Sequence, residues 1–263
     1  MVFMGRLLFS LYSTRRCACG TYAPFETIIC LMTELLADDC SRRTVRIRGQ
    51  KIPVWPEAQK ISKLKDSLVL VTRFADMPRY HPELTRKILE QEKKSKYKTD
   101  FEQGGCGIKI YHLDRWQSAE AELVHLRALA FYSQVFNCPE PVADVSMANI
   151  FRDGEYCMPH SHIRTRASLV YSLTCGDPDP QHPRSGQLCF ADPRMPVCCQ
   201  DDPERMTTPL VPDMQPGTLV MFPSEVIHFV TPYTGKSPRI TLAWNIDSRS
   251  IPGDAIPGGL PVH

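Results

Sequence analysis

The chain has 263 residues, 43% of them hydrophobic, which suits one main domain with an extension and is short for two full domains. Its 31 Lys and Arg stand against 29 Asp and Glu, a formal net charge of +2, and the basic residues are scattered rather than interleaved with aromatics, so nothing points to a nucleic-acid partner. Eleven cysteines, an odd count without regular spacing in a long chain, argue against a secreted disulfide scaffold and for a reducing cytosol. The close groupings Cys17/Cys19 and Cys198-Cys199 lack the CxxC spacing and second half of a structural zinc site.

Residues 1–31 carry Arg6, Arg15 and Arg16, no acid before Glu26, and an apolar run broken at Arg6. No segment reaches the ~18 to 20 apolar residues that span a bilayer. The stretch reads as a weak targeting segment or, preferably, as an extension ahead of Met32, and a cytoplasmic location is expected. The domain organisation read here is an extension over 1–50, one domain over 51–250 and a Pro/Gly-rich tail over 251–263. Residues 32–50 give a short helical start, "MTELLADDC", then a basic polar stretch.

"SLVLVTRFA", from Ser67, is β-branched and apolar enough for a strand, whereas "HPELTRKILEQEKKSKY", from His81, has proline near its start and helical spacing. "SAEAELVHLRALAFYSQVF" predicts a second helix with Ser118 as N-cap, no capping box because Ala121 stands three residues on, and Glu120 and Glu122 in the first turn. Pro139 and Pro141 are expected to end it. Beyond Pro141 the period changes to 2: "ADVSMANIF", "ASLVYSL", "GQLCFA", "GTLVMFP" and "RITLAWNI" are short strands of a barrel or sandwich. Two long interruptions, 174–186 and 192–217, are candidate loops for substrate selection.

His160 and His162, at i and i+2 on a strand end, leave one face and can approach one ion. A third histidine, His228, follows sixty-eight residues later in "MFPSEVIHFVTPY", and eleven residues beyond it Arg239 opens "RITLAWNI". Two ligands from one strand, a third from a distant one and open positions opposite describe a facial metal site of the non-haem Fe(II) oxygenase kind. A guanidinium on an inward strand position is costly to bury unless it meets an anion, and its fork suits a carboxylate. Thr241 on the same face offers a hydroxyl to that carboxylate, and Tyr171 a phenol from the neighbouring strand.

The ordered set "SMANIFRDGEYCMPHSH", "ASLVYSL", "SGQLCFADPR", "QPGTLVMFPSEVIHFVTPY" and "PRITLAWNI" resembles the 2-oxoglutarate/Fe(II)-dependent dioxygenases, in particular a bacterial 2OG-Fe(II) oxygenase branch with an HxH...H...R pattern. Prolyl-hydroxylase-like enzymes are more distant relatives. The resemblance covers about Ala143 to Ile246. It implies a mainly β fold, a double-stranded β-helix (jelly-roll, cupin-like) over 143–246 with helical support over 51–140. It further implies Fe(II) on His160 and His228, the distal carboxylate of 2-oxoglutarate on Arg239 with Tyr171 and Thr241 assisting, and O2 as co-reactant. The product would be a hydroxylated or otherwise oxidised C–H bond in an unidentified substrate, expected to be a small molecule, with succinate and carbon dioxide released.

Most of the superfamily has His-x-Asp where this chain has His160-Ser161-His162, so His162 is carried over as third ligand, with Asp192 of "FADPR" or an open position as alternatives. Two other readings stay open: a cupin-like three-histidine enzyme that uses no 2-oxoglutarate, and a non-catalytic β-barrel binding module. His81, His112, His125, His182 and His263 have no partner pattern and read as structural or solvent-facing. Asn149 and Tyr156 read equally as pocket or strand residues, Trp244 and Phe222 as core, and Arg164 and Arg166 as a solvated turn.

Overall fold

A computed structural model describes residues 40–64, 67–94, 98–99, 105, 107–192 and 209–248, all of them within a compact unit spanning Asp39–His263. The targeting or extension segment 1–31, the tail 251–263 with His263, both close cysteine groupings and most of the loop 192–217 lie outside the described residues.

The described chain opens with a hairpin, β1 (Thr44–Ile47) and β2 (Gln50–Pro53), turned by Arg48 and Gly49 at φ 49° and 78°. Positive φ at both central residues is what a two-residue hairpin turn with the strands' own twist requires. Val45, Ile47 and Ile52 point into the main core, so residues 44–50, grouped above with the extension, supply part of it. Next come β3 (Ser62–Lys63), β4 (Leu70–Arg73) and helix α1 (His81–Lys94), the last two inside the stretches expected as strand and helix. Strands β5 (Lys98–Thr99) and β6 (Gly107–Tyr111) precede helix α2 (Ala119–Phe136).

The hydroxyl of Ser118 accepts from Ala121 N at 3.3 Å, the cap expected, worth about 1 kcal/mol. Glu120 does more than meet the helix dipole: its carboxylate accepts from Lys87 Nζ at 2.6 Å and from Ser118 Oγ at 2.7 Å, tying α2 to α1. The helix stops at Asn137, left-handed at φ 49°, before either proline. Most of the circumference of α2 is buried, because the hairpin covers one side and the large sheet the other.

The remaining strands are β7 (Pro141–Phe151), β8 (Cys157–His160), β9 (Ala167–Thr174), β10 (Leu188–Phe190), β11 (Thr218–Pro223), β12 (His228–Val230) and β13 (Arg239–Ser248). All pairing is antiparallel: one sheet runs β3-β4-β11-β9-β13-β7-β6-β5 and a smaller one β10-β12-β8. Period-2 alternation gives the large sheet two faces. Ile240, Leu242, Trp244 and Ile246 join Ala148, Ile150, Leu169 and Tyr171 in the core shared with the helices. Val220 and Phe222, with Val170 beside them, pack instead with Leu188 and Phe190 of the small sheet. Mainly β with two supporting helices, this is the double-stranded β-helix expected, and the space between its sheets is where inward polar residues must find partners.

Candidate metal and cosubstrate site

On the small sheet His228 of β12 is the direct cross-strand partner of His160 of β8, a relation that puts Cβ atoms about 5 Å apart. The two ring centroids lie 4.3 Å apart. His162 sits just beyond the end of β8, held there by its backbone N–H donating to Ser224 O at 2.8 Å, and its ring lies 5.0 Å from that of His160 and 5.3 Å from that of His228. One ligand atom from each of the three lies within 4.8 Å of the others, and no other group of three potential ligands exists among the described residues. Asp192, the alternative ligand, is not brought to this cluster. It is buried just past β10, next to Ala191, whose N–H donates to Ile227 O.

His160 Nδ1 lies 2.7 Å from Met158 O and His228 Nδ1 lies 2.9 Å from Val226 O. A carbonyl only accepts, so Nδ1 carries the proton in both rings and the Nε2 lone pair is free for a metal. Burial lowers the pKa of all three: His228 falls to about 3, with His160 and His162 adding to the effect, and His162 falls to about 4. His160 is lowered too, by burial first, although its bond to Met158 opposes the shift. Neutral imidazole is the ligating form. Phe222 packs edge-on to His228 with centroids 4.7 Å apart and meets Phe190 at 4.7 Å, so the core role read for Phe222 holds and also forms an apolar wall behind the cluster.

Arg239 and Thr241 lie on the inter-sheet face of β13, 5% and 3% exposed. Nη1 of Arg239 is buried with no hydrogen-bond partner, and the guanidinium lies 5.6 Å from the Phe151 ring. Burial lowers its pKa to about 10; the groups that oppose the shift are Cys175, Tyr233 and Cys157, none of them a carboxylate. The loop 174–186 closes over this end. A Cβ on Gly186, at φ 60°, would meet Arg239 Cδ at 2.8 Å and Tyr233 Cδ2 at 2.9 Å, so the backbone approaches the guanidinium as only glycine allows. A buried fork with an orphaned donor, on the inter-sheet face of the large sheet, fits an anion such as the distal carboxylate of a keto-acid.

Tyr171 is not part of this arrangement, contrary to the expectation. Thr241 pairs with Ser172 and Leu242 with Tyr171, so the phenol points to the helix side of the sheet. There it meets His81 Nε2 at 2.6 Å and Tyr80 Oη at 2.8 Å, and burial raises its pKa well above 10. Tyr171→Phe therefore leaves 2-oxoglutarate affinity unchanged and lowers stability by about 1 to 3 kcal/mol, because the buried partners lose their bond; ligand titration beside urea denaturation checks both halves.

The remaining histidines fall as read. His125 accepts from Trp244 Nε1 at 3.1 Å, His182 pairs with Asp179, and His112 sits in a left-handed turn. Arg166 is exposed, with its guanidinium 4.1 Å over the Phe136 ring. Two features escaped the sequence reading. One is Lys109 of β6, inward-facing opposite Asn149. The other is Arg127, fully buried and bonded to both Asp76 oxygens at 3.0 and 2.7 Å.

Two facing antiparallel sheets with a histidine cluster on the smaller and a buried arginine on the last strand of the larger define the non-haem iron oxygenase type of double-stranded β-helix. Residues 146–245 match the family described as "Putative 2OG-Fe(II) oxygenase", and this segment is a 2OG-Fe(II) oxygenase domain. The chain is accordingly a 2-oxoglutarate-dependent iron dioxygenase whose cofactors are Fe(II), 2-oxoglutarate and O2. No curated protein matches the chain by sequence.

Among solved structures, a Pseudomonas putida prolyl-4-hydroxylase is similar at 16% identity and TM-score 0.51, over 71% of this chain and 96% of that one. EctD from S. alaskensis, crystallised with 2-oxoglutarate and 5-hydroxyectoine, is similar at 14% identity and TM-score 0.53, over 74% and 78%. The alpha-ketoglutarate-dependent epimerase SnoN of nogalamycin biosynthesis is similar at 11% identity and TM-score 0.53, over 88% and 92%. These likenesses establish the fold.

Proposed function

We propose that His160, His162 and His228 hold the Fe(II) on one face, and that Arg239, with Thr241 beside it, takes the distal carboxylate of 2-oxoglutarate. The reaction is hydroxylation, or another oxidation, of a C–H bond in a small-molecule substrate, and the protein acts in the cytoplasm. Among the described residues no helix is long and apolar enough to cross a membrane. The observation that carries the reading is the buried Nη1 of Arg239 without a partner, in the same inter-sheet space as three neutral imidazoles.

When bound, Fe(II) supplies the oxidative decarboxylation of 2-oxoglutarate to succinate and carbon dioxide and, with O2, the oxidising equivalent for the substrate. The chain's own contribution is geometric and electrostatic. Met158 O and Val226 O fix the rings of His160 and His228 by accepting from Nδ1, which also makes each ring a better donor. Phe222 and Phe190 exclude water behind His228. Arg239, desolvated under Gly186 and Tyr233, attracts a carboxylate more strongly than it would in water.

The test is succinate formation from 2-oxoglutarate with Fe(II), measured without added substrate as slow uncoupled turnover. The expected result is succinate in step with 2-oxoglutarate consumed. Stoichiometric Fe(II) binding without 2-oxoglutarate binding would instead favour the cupin-like enzyme, in which Arg239 meets the substrate's own carboxylate.

A further inference from the structure

In the register of the large sheet Lys109 of β6 pairs with Asn149 of β7, Asn149 with Thr241 of β13, and Thr241 with Ser172 of β9. Directly opposed residues share a face, so these four side chains form one row across the sheet on the side that carries Arg239. The neighbours of Lys109 on its own strand, Ile108 and Ile110, pack against the helix-side core, which fixes the lysine on the opposite, inter-sheet side. Lys109 is half-buried, and no described carboxylate pairs with it. Its charge acts on His160, His162 and Cys157, whereas the groups acting on Arg239 are Cys175, Tyr233 and Cys157. The two cations thus stand over different parts of the site, with Cys157 common to both.

The charge balance asks for a further anion. No described carboxylate acts on the three imidazoles or on Arg239. Fe(II) on neutral ligands keeps both its positive charges, and Arg239 and Lys109 add one each. The dianion 2-oxoglutarate neutralises half of these, and its distal carboxylate is claimed by Arg239. A site with an aspartate ligand and no such lysine would be close to neutral at the same stage. Here the loaded site stays cationic in a space of low dielectric, where uncompensated charge is costly.

We infer that Lys109 is the substrate anchor of this site, and that the substrate carries a carboxylate or phosphate group which Lys109 binds beside the metal. The inference rests on the reading of His160, His162 and His228 as metal ligands and of Arg239 as the 2-oxoglutarate anchor. Asn149, between Lys109 and Thr241 in the row, offers an amide that donates to the same anion.

The test uses the full chain loaded with Mn(II) and 2-oxoglutarate, with acetate, methyl phosphate and neutral acetamide as probes, read by paramagnetic relaxation of each probe's methyl protons. Acetate, methyl phosphate or both should be relaxed about tenfold more than acetamide, and the stronger of the two names the anionic group. Lys109→Gln should reduce the acids to the level of acetamide, Lys109→Arg should retain them, and both variants should keep 2-oxoglutarate affinity within about threefold.

Equal relaxation by acetamide, or unchanged relaxation in Lys109→Gln, overturns the inference. So does a loss of 2-oxoglutarate affinity in Lys109→Gln matching that of Arg239→Met, which would make the lysine a cosubstrate anchor. Failure of the unaltered protein to bind Mn(II) or 2-oxoglutarate, read before any probe is added, refutes the underlying site instead.

Discussion

Arg239→Met lowers the affinity for 2-oxoglutarate by about 30-fold or more, the ratio that about 2 kcal/mol corresponds to, while the ligand-free protein unfolds at the same urea concentration as before or a higher one. The two halves have one cause. In the ligand-free chain Arg239 is 5% exposed and its Nη1 has no partner, so the fold carries an unsatisfied donor that costs about 1 to 3 kcal/mol. Methionine fills much of the same volume without that cost. With 2-oxoglutarate present the arginine gains its anion and the variant does not, so added ligand should raise the melting temperature of the unaltered protein and not that of the variant. A variant that binds 2-oxoglutarate normally would remove Arg239 from the site.

Arg127→Met has the opposite profile, destabilising the fold by about 3 kcal/mol or more with no direct contact to the site. Arg127 is fully buried under α2, stacks 4.1 Å over Phe74, and donates to both Asp76 oxygens, to Tyr80 Oη at 2.7 Å and to Val54 O at 3.0 Å. Tyr80 continues the chain of bonds to Tyr171 on β9, so one side chain joins the hairpin, the segment before α1 and the back of the large sheet. Its removal takes this donor away from the Asp76 carboxylate and from the Val54 and Pro53 carbonyls. The double variant Arg127→Met/Asp76→Asn should therefore lose less than the sum of the single losses, because the stranded carboxylate is part of the first loss. Urea denaturation of the four proteins checks this, and strict additivity would show that the pair is not coupled.

Strands β7, β9 and β13 of the large sheet were legible because their apolar residues alternate over a long stretch, as in "RITLAWNI" and "ASLVYSL". Strands β8 and β12 have only four and three residues, too few for a period, and were marked by their histidines alone. Strand β6 escaped because its alternation, Ile108-Lys109-Ile110, spans only three positions after a glycine. The β1–β2 hairpin escaped because its strands are only four residues long, with few apolar residues, and its turn is Arg-Gly rather than Asn-Gly.

Within the site, His160, His162 and His228 come together as spacing and strand order suggested, whereas Tyr171 does not. Sequence distance carries no register. The β9–β13 pairing sets Tyr171 against Leu242, and its register shift beside Thr241 lies where no composition signal points. Lys109 is the converse case: a lone lysine says nothing in a sequence, and only its pairing with Asn149 places it on the inner face. Arg127 likewise reads as one of several polar residues on α2 until Asp76 is set beside it by the fold.

The metal site is the central claim, and an anaerobic titration of the full chain with Fe(II) in the presence of 2-oxoglutarate tests it most directly. The predicted result is a visible metal-to-ligand charge-transfer band that saturates at one Fe(II) per chain, is absent from His228→Ala and His160→Ala, and is lost or strongly weakened in His162→Ala. Undiminished stoichiometric binding with the same band in His162→Ala would remove that residue from the triad, and the same result in His228→Ala would contradict the site as a whole.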